Sequence, residues 1–190
     1  MNDINEQKKS MRSSFILLRS QISDKSKKDE AVFRRLISLD SICSADTVLS
    51  YISVGTETDT LKIIDYLLSN GIKVAAPRCK KNGIMDFFYI SSLNETIAGK
   101  YGIPEPVGNE MAAVTKNTVC LTPALSISSN GIRIGYGGGY YDRFFSKNPQ
   151  LLSIGLSYEK LISSDLPAGS YDVPLNMFIT EERTVMCNAK

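Results

Sequence analysis

The chain has 190 residues, 43% hydrophobic and 22% charged, with 22 Lys and Arg against 20 Asp and Glu for a net charge of +2. That is the composition of one globular domain without a broad electrostatic footprint for nucleic acid. There is no histidine, which excludes Ser-His-Asp and Cys-His nucleophiles and every His-ligated metal centre, and leaves acid–base or metal chemistry to Asp, Glu, Lys, Arg, Tyr or Cys.

Residues 4–22 read as a helix, with Ile4, Met11, Phe15, Leu18 and Ile22 near one face and Lys8, Arg12 and Arg19 on a basic edge. The apolar run at 15–18 is too short for a signal core or a membrane span. Cys43, Cys79, Cys120 and Cys187 show no metal-ligand spacing, so the expectation is a cytoplasmic protein with reduced, mostly buried thiols. A second helix starts after Ser23-Asp24 or Ser26, with Asp29 and Glu30 suited to its first turn and Val32, Phe33, Leu36, Ile37 and Leu39 on its apolar face. The period then changes. Residues 47–54 are β-branched and apolar and read as a buried strand. Thr58 or Asp59 can cap the next helix, with Leu61, Ile64, Leu67 and Leu68 inside and Gly71 past its end. Residues 72–76 give a strand that Pro77 stops, completing a βαβ unit that favours a parallel pair. Further strands are expected at 85–90, 117–121, 151–156, 177–179 and 184–186, with a helix opening at Tyr140. No repeat or low-complexity linker appears, so residues 1–190 read as one α/β domain with an N-terminal helical pair.

The strongest local signal is the segment from Gly131 to Arg143, with five glycines among positions 131–139. Such a run lets backbone N–H groups converge, and a helix N-terminus behind it adds partial positive charge, which suits an anion or phosphate. A tight loop without a ligand is the plainer reading. A Walker A motif needs Lys followed by Ser or Thr where Tyr140 and Tyr141 stand, and a Rossmann fingerprint from Gly135 needs glycine at 140. Asp142 falls in the first helical turn, as a surface carboxylate or, with Asp172, as a Mg²⁺ ligand beside phosphates. Glu57 follows a buried strand of the βαβ unit, as a solvated turn residue or as an acceptor for a ring N–H. Lys8, Lys9 and Arg12 form either a solvated face or a polyphosphate contact. Phe87, Phe88 and Tyr89 are expected to alternate between core and surface.

Five segments in this order and spacing resemble the 5-formyltetrahydrofolate cyclo-ligase family. They are Lys8-Lys-Ser-Met-Arg12, Glu57-Thr-Asp-Thr60, Gly102-Ile-Pro-Glu-Pro106, Arg133-Ile-Gly-Tyr-Gly-Gly-Gly-Tyr-Tyr-Asp142-Arg143, and Tyr171-Asp172. The resemblance covers nearly the whole chain and implies a single α/β domain with a central, largely parallel sheet flanked by helices. It implies ATP- and Mg²⁺-dependent conversion of 5-formyltetrahydrofolate to 5,10-methenyltetrahydrofolate, through a phosphorylated formyl group, with release of ADP and phosphate. Carried over, Lys8, Lys9, Ser10, Met11 and Arg12 contact ATP, as do Arg133, Ile134, Gly135, Tyr136, Gly137, Gly138, Gly139, Tyr140 and Tyr141. Val54, Glu57, Tyr136, Gly137, Gly138, Gly139 and Tyr140 contact the folate. Asp142 and Asp172 hold Mg²⁺, and Arg133 and Tyr140 are the catalytic candidates. The implied partners are 5-formyltetrahydrofolate and ATP, with no nucleic acid, membrane or obligate protein partner. Tyr136 and Gly138 stand where some members carry basic residues, and Tyr171 where many carry histidine.

Overall fold

The structure, a computed structural model, describes residues 2–99 and 102–187. In chain order, apart from short 3-10 turns, the elements are α1 (Asn2–Ser20), α2 (Lys25–Ile37), α3 (Asp40–Cys43), β1 (Thr47–Ser50), α4 (Leu61–Ser69), β2 (Lys73–Cys79), β3 (Met85–Ile90), β4 (Thr96–Ala98), β5 (Pro104–Pro106), β6 (Thr118–Pro123), β7 (Ser126–Ser128), β8 (Arg133–Ile134), α5 (Tyr140–Lys147), β9 (Leu152–Leu156), β10 (Ile162–Ser163), β11 (Met177–Ile179) and β12 (Thr184–Met186). Seven strands form the central sheet in the order β12-β11-β9-β6-β1-β2-β3. Its pairs are parallel from β11 through to β2 and antiparallel only at the two outer pairs. The largely parallel sheet expected from the sequence is therefore present, with β1–α4–β2 as its parallel crossover unit.

Strand periodicity sorts the core into two faces. Val48, Val74, Val119 and Leu121 point toward Val32, Leu36, Ile63, Ile64 and Leu67 of α2 and α4. Leu49, Ala75 and Cys120 point the other way, toward Phe87, Ile127, Phe145 and Phe178. With both faces covered, β1 is buried at every residue, as a central parallel strand must be. A third cluster, Leu125, Ile132, Ile134 and Leu166, receives Met11 and Phe15 of α1. That contact docks the N-terminal helix on the three-stranded sheet β10-β7-β8. Among the described residues no helix is long and apolar enough to cross a membrane.

Several boundaries differ from the sequence reading. β1 ends at Ser50 rather than at residue 54, because the following backbone turns onto side chains: the Ser53 N–H donates to Thr60 Oγ1 at 2.9 Å and the Val54 N–H to Glu57 Oε2 at 3.0 Å. β2 runs through Pro77 to Cys79. Its pairing with β1 ends at Ala75, so the missing proline N–H lies beyond that ladder. Asp59 does accept from the Leu61 N–H at 2.8 Å, but Leu61 itself is exposed rather than inside. Asp29 and Glu30 lie a turn further into α2 than expected, since the helix begins at Lys25. Phe88 is buried with Phe87 instead of alternating outward, because the Arg78 guanidinium stacks 4.1 Å from its ring centroid and Met111 bridges to its backbone. Helix α1 starts and stops two residues earlier than the apolar spacing suggested. Cys120 and Cys187 are buried thiols, whereas Cys43 is exposed, against the expectation of mostly buried cysteines.

Burial pushes the Cys120 thiol from 9.0 up to about 12. Burial likewise raises the phenols of Tyr51 and Tyr141 well above 10.0. These groups have higher pKa values folded than unfolded, so their contribution to stability is complete below the unfolded values and is lost as pH rises through and above them. The melting temperature is therefore expected to fall progressively above pH 9, the unfolded thiol value. Calorimetry across that range checks it; a flat melting temperature up to about pH 11 contradicts it.

Candidate functional site

From β1 the chain moves outward through β2 and β3, then returns to the other side of β1 with β6. β1 and β6 therefore form the switch point of the sheet, where a crevice opens outside the carboxyl ends of the strands. A narrow, tightly packed crevice lies there, walled by Arg19, Tyr51, Glu57, Pro123, Leu156 and Ser157. A hollow between α2 and α4, lined by Lys25, Asp29, Glu30, Phe33, Asp59 and Lys62, contains none of the catalytic, ligand or metal candidates.

Helix α1 supplies the cations. Lys8, Arg12, Phe15 and Arg19 are spaced by four, three and four residues, which aligns them in one stripe. Phe15 anchors that stripe in the apolar cluster, so the basic edge turns inward instead of facing solvent. Lys8 and Arg19 are only 8% and 7% exposed. Lys8 forms an ion pair with Asp172. Arg12 Nε donates to the Gly135 carbonyl at 3.0 Å. Arg19 donates to Thr56 Oγ1 at 3.0 Å through Nε and to the Tyr136 hydroxyl through Nη2. The Tyr136 hydroxyl donates in turn to Glu57 Oε1 at 3.0 Å. Glu57 is buried and fastened at its other oxygen by the Val54 N–H, so it is not the solvated turn residue that position alone favoured. Burial raises the Tyr136 phenol, which keeps its proton available to Glu57.

The glycine segment crosses this stripe. At Gly137 the backbone has φ +94°, and a Cβ there would come within 3.1 Å of the Arg12 guanidinium. Gly139 has φ +64° and begins α5, so the chain turns left-handed just before the helix N-terminus, a conformation costly for other residues. Arg143 ties the segment down, donating to the carbonyls of Gly138 and of Gly83, the latter at 2.9 Å.

Arg133 and Asp142 form the floor. Arg133 Nη2 lies 3.0 Å from Asp142 Oδ1, and its Nη1 donates to the Val173 carbonyl at 2.9 Å. Asp142 Oδ1 also accepts the Val173 N–H at 3.1 Å. This clamp sets Asp142 beside the backbone that carries Asp172, whose Oδ2 takes Lys8 and the Gly169 N–H. Among the described residues no three Cys, Asp or Glu side chains cluster as a metal cage. Asp142 Oδ2 and Asp172 Oδ1 nevertheless have no hydrogen bond within the described residues, leaving one hard oxygen on each carboxylate. Mg²⁺ bound through phosphates uses one or two carboxylates, so this donor set fits it.

The predicted residues thus divide. Arg12 and Glu57 meet the glycine segment at Gly135 and Tyr136, while Lys8 pairs with Asp172 next to Val173, which Asp142 holds. Lys9 and Ser10 lie exposed on the outer side of α1. Met11 and Ile134 belong to the apolar cluster under the helix. Arg133 is 8% exposed, with Nη1 and Nη2 both engaged by protein. Val54 presents its backbone to Glu57. Tyr140 and Tyr141 open α5, and the Tyr141 hydroxyl is buried without a hydrogen-bond partner among the described residues. Sequence reasoning did not single out Arg19, Ser157 or Arg143 as site residues. The i+4, i+7, i+11 spacing from Lys8 was the available signal for Arg19.

Comparison with known proteins gives a consistent picture. The model of the "5-formyltetrahydrofolate cyclo-ligase family" matches residues 4–181. The chain is 28% identical to the probable 5-formyltetrahydrofolate cyclo-ligase of Caenorhabditis elegans over 98% of both chains. It is 28% identical to the Mycolicibacterium smegmatis 5-formyltetrahydrofolate cyclo-ligase over 75% of this chain and 77% of that one. Among solved structures, the Aquifex aeolicus 5,10-methenyltetrahydrofolate synthetase superposes with a TM-score of 0.80 at 23% identity, covering 96% of this chain and 94% of that one. A 5,10-methenyltetrahydrofolate synthetase from Mycoplasma pneumoniae gives 0.72 at 22% identity, covering 92% and 98%. At these identities the structures establish the fold.

The clamp has a measurable consequence. Asp142→Asn keeps an acceptor for the Val173 N–H but removes the charge facing buried Arg133. Leaving a buried cation without its counter-charge is expected to cost about 2–3 kcal/mol, which lowers the melting temperature by about 5–10 °C in a domain of this size. An unchanged melting temperature of the ligand-free variant shows that Arg133 does not depend on Asp142.

Proposed function

The chain belongs to the 5-formyltetrahydrofolate cyclo-ligase family, and we propose that it converts 5-formyltetrahydrofolate to 5,10-methenyltetrahydrofolate with ATP and Mg²⁺, releasing ADP and phosphate. The observation that carries this reading is one chain of contacts. A buried carboxylate at the switch point, Glu57, is joined through Tyr136 to a glycine segment flanked by Lys8, Arg12 and Arg19. A ring N–H acceptor and a phosphate cradle thus lie side by side, as a folate and a nucleotide that react with each other require.

In this reading the formyl oxygen attacks the γ-phosphate, an O–P bond forms, and ADP leaves with the electrons of the broken bond. N10 then attacks the formyl carbon, loses its proton, and the phosphate departs as the ring closes. The nucleophiles belong to the substrate, so the protein's task is positioning and charge stabilisation. This agrees with a chain that has no histidine. Backbone N–H groups of residues 137–139 and the α5 N-terminus, at Tyr140 and Tyr141, receive the phosphates. Lys8 and Arg12 balance their charge from α1. Arg133 adds positive potential from beneath while holding Asp142, and Glu57 orients the ring. Asp142 and Asp172 are the residues that would hold Mg²⁺, which when bound neutralises phosphate charge. A cytoplasmic location accompanies this metabolic role.

The purified protein mixed with 5-formyltetrahydrofolate and Mg-ATP is expected to develop the near-ultraviolet absorbance of the methenyl product. Omitting ATP, or chelating Mg²⁺, is expected to abolish it. No absorbance in the complete mixture overturns the proposal; absorbance without ATP overturns its ATP dependence and points to a dehydrative ring closure that needs no nucleotide.

A further inference from the structure

Of the three most deeply buried cations at this edge, Arg19 is the one without a carboxylate. Lys8 pairs with Asp172 and Arg133 with Asp142. Within the described residues, Arg19 hydrogen-bonds only two neutral oxygens, Thr56 Oγ1 and the Tyr136 hydroxyl, and forms no ion pair. A guanidinium has five N–H donors, and burying it without a counter-charge is costly unless further oxygens satisfy them. Arg19 also walls the same crevice as Glu57.

The group now shared by Arg19 and Glu57 indicates what they would bind. The Tyr136 hydroxyl accepts from Arg19 Nη2 and donates to Glu57 Oε1. A donor and an acceptor therefore converge on one small group that both accepts and donates. A cyclic lactam edge, a C=O next to an N–H, presents the same pair of functions. Tyr136 reaches this place from the surface: 56% of the residue is exposed. It can leave without opening the core.

We propose that Arg19 and Glu57 together read the lactam edge of the substrate's pterin ring, Arg19 donating to the C4 carbonyl and Glu57 accepting from N3–H, and that the Tyr136 hydroxyl is the stand-in which the ring displaces. This deepens the folate reading and rests on it. Arg19 is thereby a specificity-determining residue. It discriminates against a ring in which a 4-amino group replaces the carbonyl, because a second donor then faces the guanidinium and Glu57 loses its N–H.

The test measures binding of 5-formyltetrahydrofolate and its 4-amino-4-deoxy counterpart by calorimetry without ATP. Wild type is expected to prefer the 4-oxo compound. Arg19→Met is expected to weaken the 4-oxo compound about ten- to a hundredfold and to leave the 4-amino compound nearly unchanged, collapsing the preference. Arg19→Lys keeps the charge without the fork and should fall between them, which preserves the test if the methionine variant folds poorly. Tyr136→Phe removes the competing hydroxyl and is expected to bind the 4-oxo compound more tightly than wild type. The assignment is overturned by a wild-type preference that survives in both Arg19 variants, or by Tyr136→Phe losing that preference. A wild type that forms the methenyl product yet binds both compounds equally overturns this assignment alone. A wild type that binds neither and forms no product overturns the folate reading with it.

Discussion

Burying a cation at the edge of a protein core requires oxygen atoms around it, and the organisation of this site follows from that constraint. Lys8, Arg19 and Arg133 are each less than a tenth exposed. Lys8 fixes the Asp172 loop, Arg133 fixes α5 through Asp142, and Arg19 fixes the glycine segment through Tyr136. Helix α1, the glycine segment with α5, and the Asp172 loop are thereby held together. The apolar contacts of Met11 and Phe15 supply the docking of α1, and the cations supply its register.

Under the proposed function, the same arrangement would receive anions. Asp142 and Asp172, which pair with Arg133 and Lys8, each keep one oxygen without a hydrogen bond among the described residues, and under the proposed function those oxygens would face Mg²⁺ beside phosphates. Arg19, which pairs with no carboxylate among the described residues, meets the neutral Tyr136 hydroxyl instead. The absence of histidine fits this chemistry. A reaction in which the substrate supplies the nucleophiles and a nucleotide supplies the activation needs fixed positive charge and backbone donors more than a group that titrates near neutrality.

Much of the fold was legible because local periodicity and burial agree. The run at 85–90 became a strand with those bounds, and the βαβ unit around Leu67 became a parallel crossover. Helix α5 follows Gly139 as the glycine-to-tyrosine transition suggested. What failed depends on specific side-chain and strand partners that no local period reveals. Residues 51–54 are apolar enough for a strand, but Thr60 and Glu57 capture their N–H groups. Pro77 is tolerated because the β1 ladder has already ended. The small strands β4, β5, β7, β8 and β10 have two or three residues each, too few to show a period. In the site, residue types pointed to Glu57, Asp142 and the glycines. The inward rotation of the Lys8–Arg19 stripe did not follow from charge, because a basic edge on an amphipathic helix is ordinarily its solvated side. Only the packing of Phe15 decides which way it turns.

The central claim is that the switch-point crevice and the glycine segment form one site for two ligands. A crystal structure of the protein with 5-formyltetrahydrofolate, Mg²⁺ and a non-hydrolysable ATP analogue tests it most directly. The account predicts the pterin ring against Glu57, the Tyr136 hydroxyl moved off that carboxylate, and the phosphates against the backbone of residues 137–139. Ligands seated elsewhere, such as the hollow between α2 and α4, with the Arg19–Tyr136–Glu57 contacts intact, would contradict it.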